Sequence, residues 1–166
     1  MFAPLIRKLN VVHGNPVVFA KLWSLWPPFV GAGIRVERIS KDFREIDVSM
    51  KLSLRNANYV GTHFGGSLYA MTDPFYMTMI MQNLGKGYVV WDQAASIHFV
   101  KPGRGRVRAE FRLKESDLDG IRNSIAESDR QKTLWRREVC IFGANDELVA
   151  TVDKTVYVRE TSSRKK

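Results

Sequence analysis

A chain of 166 residues, 45% hydrophobic and 26% charged, suits one globular domain and excludes both a disordered segment and a membrane-spanning bundle. Its one cysteine, Cys140, excludes an internal disulfide; without Cys or His partners at zinc-ligand spacing it points to a reducing, cytoplasmic setting and to no metal. The formal net charge of +9 raises nucleic acid as a partner, so where the charge sits has to be read along the chain.

Met1 to Leu9 carries Arg7 and Lys8 but no uninterrupted apolar core or small-residue cleavage site, so it does not read as a targeting peptide. Asn15-Pro16 predicts a helix start, with Asn15 as N-cap and Pro16 at the first helical position, and Pro27-Pro28 stops the helix. Residues 1–29 thus form an N-terminal helical segment. Gly33 to Ile39 predicts a strand. Ile46, Val48, Met50, Leu52 and Leu54 alternate with Asp47, Ser49, Lys51 and Ser53, the period of a half-buried strand.

Arg55 to Gly66 is a polar, glycine-containing loop. Ser67 to Leu84 is too rich in Ala, Met and Leu for a strand, and its apolar residues run all round the helical wheel, which predicts a helix buried on every side. Tyr88 to Val100 and Arg106 to Leu113 read as strands joined by a turn at Pro102-Gly103, and Ser116 to Ser128 as a short helix capped by Ser116. Thr133 to Phe142 and Glu147 to Val158 pair across Gly143–Asp146 as a hairpin. One helix apolar all round needs an antiparallel sheet curled about it, an α+β arrangement. A single sheet of this kind leaves an edge and an apolar flank, so self-association is expected.

The positive charge is concentrated. Lys101, Arg104, Arg106, Arg108, Arg112 and Lys114 face Glu110 alone, a net of +5, and the basic tail 159–166 adds +3. The tail reads as a frayed, solvated end. No zinc-finger spacing, RNP-type aromatic motif or basic-helix pattern accompanies the charge, so a small polyanionic ligand fits it better than a duplex.

Between Gly61 and Gly85 the only formally charged side chain is Asp73. A carboxylate within an apolar helix costs several kcal/mol unless it is paired. A capping reading competes: Asp73 as N-cap and Pro74 at the first helical position would divide the segment into two helices. Gly65-Gly66 opens the same helix, where unpaired first-turn N–H groups can meet a developing oxyanion; a plain tight loop is the alternative. His63 titrates near neutrality and is a candidate acid or base, against the commoner hydrogen-bonded loop histidine. His13 and His98 have no companions. Asn58 either orients a carbonyl or makes an Asx-type turn. No nucleophile elbow, P-loop or dinucleotide fingerprint occurs, and no cofactor is implied.

The run Asn58-Tyr-Val-Gly61-Thr-His63-Phe-Gly65-Gly66, followed by Asp73 seven residues after the second glycine, resembles the loop and helix of hotdog-fold acyl-CoA thioesterases of the phenylacetyl-CoA type. Ala94 to Pro102 is similar to that family's next strand and its Phe-x-x-Pro turn. The best match is a bacterial branch described as tetrameric acyl-CoA thioesterases, over residues 30–158. The resemblance implies a hotdog fold and thioester hydrolysis. Asp73 would be general base or nucleophile, the Gly65 or Gly66 N–H would bind the oxyanion, and Asn58 would help hold thioester or water. It also implies sites formed between subunits of a homodimer or tetramer, with acyl-CoA as the partner and no nucleic acid. Two positions depart from the pattern: Phe64 stands where the family has His, with His63 one residue earlier, and Pro74 follows Asp73 directly. Phe64, Phe75 and Trp91, with Met71, Met77, Met79 and Met81, are candidates for an adaptable acyl pocket, or ordinary core. Arg104 and Arg106 are candidates for CoA phosphates, or a solvated strand face. The rival function is a hotdog module that binds acyl thioesters or fatty acids without turnover.

Overall fold

Asn15 caps the first helix, its Oδ1 accepting the Val17 and Val18 N–H groups at 3.0 and 3.3 Å, and α1 runs Pro16–Ser24. The computed structural model describes residues 15–161, so His13, the first nine residues and most of the basic tail lie outside it. Pro27-Pro28 ends α1 but also opens a second helix, α2 (Pro27–Ala32), because proline's missing N–H is no loss in a first turn.

Six strands follow: β1 (Ile34–Ile39), β2 (Glu45–Lys51), β3 (Tyr88–Phe99), β4 (Arg106–Arg112), β5 (Lys132–Phe142) and β6 (Leu148–Glu160). They form one antiparallel sheet in the order β1-β2-β4-β5-β6-β3. The Pro102-Gly103 segment is therefore no hairpin turn. It carries the chain from the β3 edge past β6 and β5 to β4, which lies between β2 and β5. β2 stops at Lys51, and Leu54 is fully exposed, so the alternation of residues 46–54 outruns the strand by three residues. β6 continues through Arg159 and Glu160, paired with Val89 and Tyr88, two residues into the stretch expected as tail.

The central helical segment is two helices, α3 (Gly65–Ala70) and α4 (Phe75–Leu84). Pro74 has no N–H to give and its ring crowds the preceding turn, so Thr72 and Asp73 close tighter bonds to Tyr69 O and Ala70 O and the axis breaks. Asp73 does not cap α4; Pro74 occupies the cap position, with no side-chain bond. The most buried face of α4 carries Phe75, Tyr76, Thr78, Met79 and Ile80, and Met77 and Met81 are half-buried against the same core, so no residue of the helix is exposed. The core lies between this face and the inward residues of the sheet, among them Val107, Ala109, Phe111, Ile141, Val152 and Val156. A chain of touching rings runs Trp23, Phe29, Phe75, Phe111, Tyr76, Trp135 and ties α2 to the sheet through α4.

The remaining helix, α5 (Glu115–Ala126), starts one residue before Ser116; its cap position is Lys114, whose N–H donates to the Asp117 carboxylate at 2.9 Å. No helix among the described residues is long and apolar enough to cross a membrane. A six-stranded antiparallel sheet in this order around a central helix is the hotdog fold.

Candidate active site

The loop of residues 52–64 is held by two asparagines. Asn56, 1% exposed, donates to Ala32 O and Lys51 O and accepts Ser53 N–H, fastening the loop to α2 and β2. Asn58 accepts the Val60 and Thr62 N–H groups and donates to Thr62 Oγ1, so its side chain is spent on the turn. His63 is buried, and its Nε2 lies 3.1 Å from Gly105 O. A carbonyl can only accept, so Nε2 carries the proton and Nδ1 is left buried without a partner among the described residues. Burial lowers the His63 pKa below 6.5, and the bond to Gly105 only partly opposes this. The imidazole thus pins the turn at residues 103–105.

Asn58, His63, Gly65, Leu68, Phe99, Lys101 and Pro102 line a cleft of about 420 Å³. Within α3 the first bonded amides are those of Ser67 and Leu68, both reaching Phe64 O, so the Gly65 and Gly66 N–H groups precede the helical ladder. A Cβ on Gly65 would stand 2.7 Å from the Phe99 ring, and one on Gly66 2.4 Å from Phe64's own ring. A side chain at either position would have to displace an exposed aromatic ring.

Asp73 does not line this cleft. It sits at the break between α3 and α4, eight residues from Gly65, roughly 12 Å along a helix axis. Its side chain is 44% exposed, because the Pro74 break turns it off the apolar axis. Asp73 Oδ1 accepts from Tyr69 Oη and from Lys154 Nζ, each at 3.2 Å. The same ammonium lies 3.2 Å from Asp92 Oδ2, and its side chain is wholly buried. Burial raises Asp92 from 3.8 to about 6; Lys154 opposes the shift and Asp73 adds to it. Burial and the neighbouring Asp73 also raise the Tyr69 phenol.

Lys154 and Asp92 are absent from the reading of the sequence, yet a signal for each exists. Lys154 stands in the apolar phase of a strand, between Val152 and Val156, and Asp92 is in phase with Val90. Their meeting depends on β6 pairing with β3, where Asp92 faces Val156, two residues along from Lys154.

The other candidates are distributed. Phe75 is 1% exposed inside the aromatic chain and lines neither cavity described here, so its ring is used in the core. Phe64 is 56% exposed, and Trp91 is half-exposed, stacked on Tyr157 at 4.2 Å. Arg106 bonds Ser49 Oγ at 2.8 Å and lies 3.6 Å from Glu37, so acids and hydroxyls of β1 and β2 already occupy it. Arg108 pairs with Asp146 and Arg112 with Asp47 and Glu110. Lys101 and Arg104 are exposed and stand in no ion pair among the described residues. A second groove of about 660 Å³, between α1, α2 and β1, is lined by Leu25, Phe29 and Val36 and by Arg38, which pairs with Glu45 and Asp47.

The family model described as "Domain of unknown function (DUF4442)" matches residues 14–158. No curated protein matches the sequence. Among solved structures, PA5026 from Pseudomonas aeruginosa, described as a protein of unknown function and probable thioesterase, superposes with a TM-score of 0.77 at 18% identity, over 89% of this chain and 98% of its own. The thioesterase HI1161 from Haemophilus influenzae gives 0.64 at 14%, over 92% and 95%. The Escherichia coli PaaI protein of the phenylacetic acid degradation operon gives 0.57 at 14%, over 86% and 89%. At these identities the likeness shows a shared fold.

Proposed function

The chain belongs to the DUF4442 family, and on the geometry of its central helix we propose that it hydrolyses an acyl-CoA or related acyl thioester to free acid and thiol. The observation that carries this reading is Asp73: a half-exposed carboxylate at a helix break in a hotdog fold, with one oxygen taken by a buried lysine and a tyrosine. Such a carboxylate activates water for attack on the thioester carbonyl, or attacks it directly. The carbonyl oxygen, becoming an oxyanion, is received by the Gly65 and Gly66 N–H groups; the C–S bond then breaks and the thiolate takes the proton that Asp73 drew from water. On the direct route water cleaves the acyl-aspartate anhydride to the free acid and supplies that proton.

Both groups must lie within a few ångströms of one carbonyl, and the roughly 12 Å between them along one chain is too far. The reading therefore pairs Asp73 of one copy with the glycines of a second. Exposed Tyr59, Phe64, Trp91 and Phe99 support such an association. His63 serves by holding the cleft wall; Lys101 and Arg104, exposed and in no ion pair among the described residues, would meet CoA phosphates, since Arg106 is engaged by Ser49 and Glu37.

A panel of acyl-CoAs with a thiol-detecting reagent tests the reading. The protein should release thiol from at least one member, and Asp73→Asn and Asp73→Ala should keep fold and oligomer while losing about 100-fold or more in turnover. Undiminished turnover in these variants would sink the assignment, and no thiol from any member would leave the binding module as the function.

A further inference from the structure

The fold spends an unusual arrangement on one side chain. Lys154 is a fully buried ammonium on the inward face of β6, and burying it is tolerable only because acids meet it. Two do, Asp73 Oδ1 and Asp92 Oδ2, each at 3.2 Å, and the Tyr69 ring lies beneath it at 5.6 Å. On the β5 side its register partner Arg137 is turned instead to Asp117 and the Trp135 ring, and Asp153, next along β6, is exposed on the opposite face.

β3 is modified at the same place. Its register with β6 slips between Asp92 and Ala94, leaving Gln93 as the extra residue of a bulge. A bulge bends its strand and re-aims the side chains beside it, and Asp92 is the residue beside this one. The side chain so aimed is 17% exposed, and its Oδ1 is shielded from solvent and unpartnered among the described residues.

We propose that Lys154 and Asp92 are positioning residues for Asp73: the buried ammonium, shared between two carboxylates, fixes one oxygen of Asp73 and leaves the other to the reaction. This role rests on Asp73 being the base or nucleophile. Asp73 Oδ1 carries both the Tyr69 and the Lys154 bond, while Oδ2 takes no hydrogen bond among the described residues and the side chain is half-exposed. Asp92 controls how much of the ammonium's charge Asp73 receives. With Asp92 protonated, Lys154 serves Asp73 alone; with Asp92 ionised, a second negative charge stands in the same pocket. Because Asp92 titrates at about 6, that change falls within the working range of an enzyme.

Coupling is read first without activity, by carbon-detected NMR titration of the aspartate carboxyls. Asp92 should titrate near 6 in the native protein, and in Asp73→Asn its midpoint should fall by about half a unit to one unit, as a neighbouring negative charge is removed. An Asp92 midpoint unmoved by Asp73→Asn overturns the shared ammonium. Kinetics then read the positioning. Lys154→Met should lower kcat about tenfold or more with KM within about twofold, while Asp92→Asn should move the acid limb of kcat to lower pH. Asp92→Asn is nearly isosteric, so it carries the test alone if Lys154→Met does not fold. If Asp73→Asn abolishes turnover but Asp92→Asn leaves the pH profile in place, the positioning role is wrong and the role of Asp73 stands. If Asp73→Asn turns over undiminished, the role of Asp73 itself fails, and the positioning role falls with it.

Discussion

At the scale of single residues, the chemistry of this protein turns on which ionisable groups are buried and what they meet. Asp92 and His63 are both perturbed mainly by burial, and their effects on stability run in opposite directions. Asp92 has a folded value of about 6 against an ordinary 3.8, so the folded state favours the neutral acid. Its contribution is complete below pH 3.8 and is lost as pH rises through 6. His63 is lowered below 6.5, so the folded state favours the neutral ring; its contribution is complete above 6.5 and is lost as pH falls through the folded value. Urea unfolding at about pH 4.5 and about pH 7 separates them: Asp92→Asn should gain about 2 kcal/mol relative to the native protein over that rise. His63→Gln should change in the opposite sense over the same rise. An Asp92→Asn difference that stays constant with pH would mean that the carboxyl is not desolvated as the fold requires.

At the scale of elements, two devices place the candidate groups. Pro74 divides the central helix, and the division brings Asp73 off an apolar axis to the edge of solvent while its backbone remains part of the core. The sequence shows an acid and a proline together, and both the buried-acid and the capping readings follow from that pair. The structure keeps the helix break of the second reading and the charge pairing of the first, and Asp73 caps nothing. The other device is Asn56, whose buried amide ties the glycine-bearing loop to α2 and β2 with one bond each and closes a third within the loop. Asn56→Ala leaves two carbonyls and an N–H unpaired and should cost about 2–3 kcal/mol in urea unfolding. A loss below about 1 kcal/mol would mean that water or other contacts hold the loop.

At the scale of the whole molecule, the sheet has two edges that are treated differently. β1 is covered by α1, where Ser24 Oγ accepts the Val36 N–H at 3.0 Å. β3 is the other edge and carries half-exposed Trp91 and Phe99, and Tyr59 and Phe64 of the loop and helix start are exposed as well. An open edge with apolar side chains calls for a second copy, as does the distance between Asp73 and Gly65. Sedimentation velocity should therefore show a dimer or larger species, and Tyr59→Ser/Phe64→Ser should shift it toward monomer with a parallel loss of thioesterase activity. A fully active monomer would contradict a site completed between copies.

What the sequence determined by itself is what local chemistry dictates: the capped first helix, the alternation of β2 and β4, the β5–β6 hairpin, the glycine pair at a helix start, and one acid in an apolar run. Each rests on residues a few positions apart, so period and capping rules reach it. The tertiary structure alone decided the rest. Lys154 meets Asp73 and Asp92 across 81 and 62 residues because β6 pairs with β3 and faces the helix break. Arg106 is neutralised by Glu37 because β1, β2 and β4 lie side by side, which the count of +5 along 101–114 does not contain. Phe75 reads equally as pocket wall or core until the rings around it are in place. Charge and apolar surface are counted along a chain, but whether they are free or spent depends on neighbours that only the folded sheet supplies.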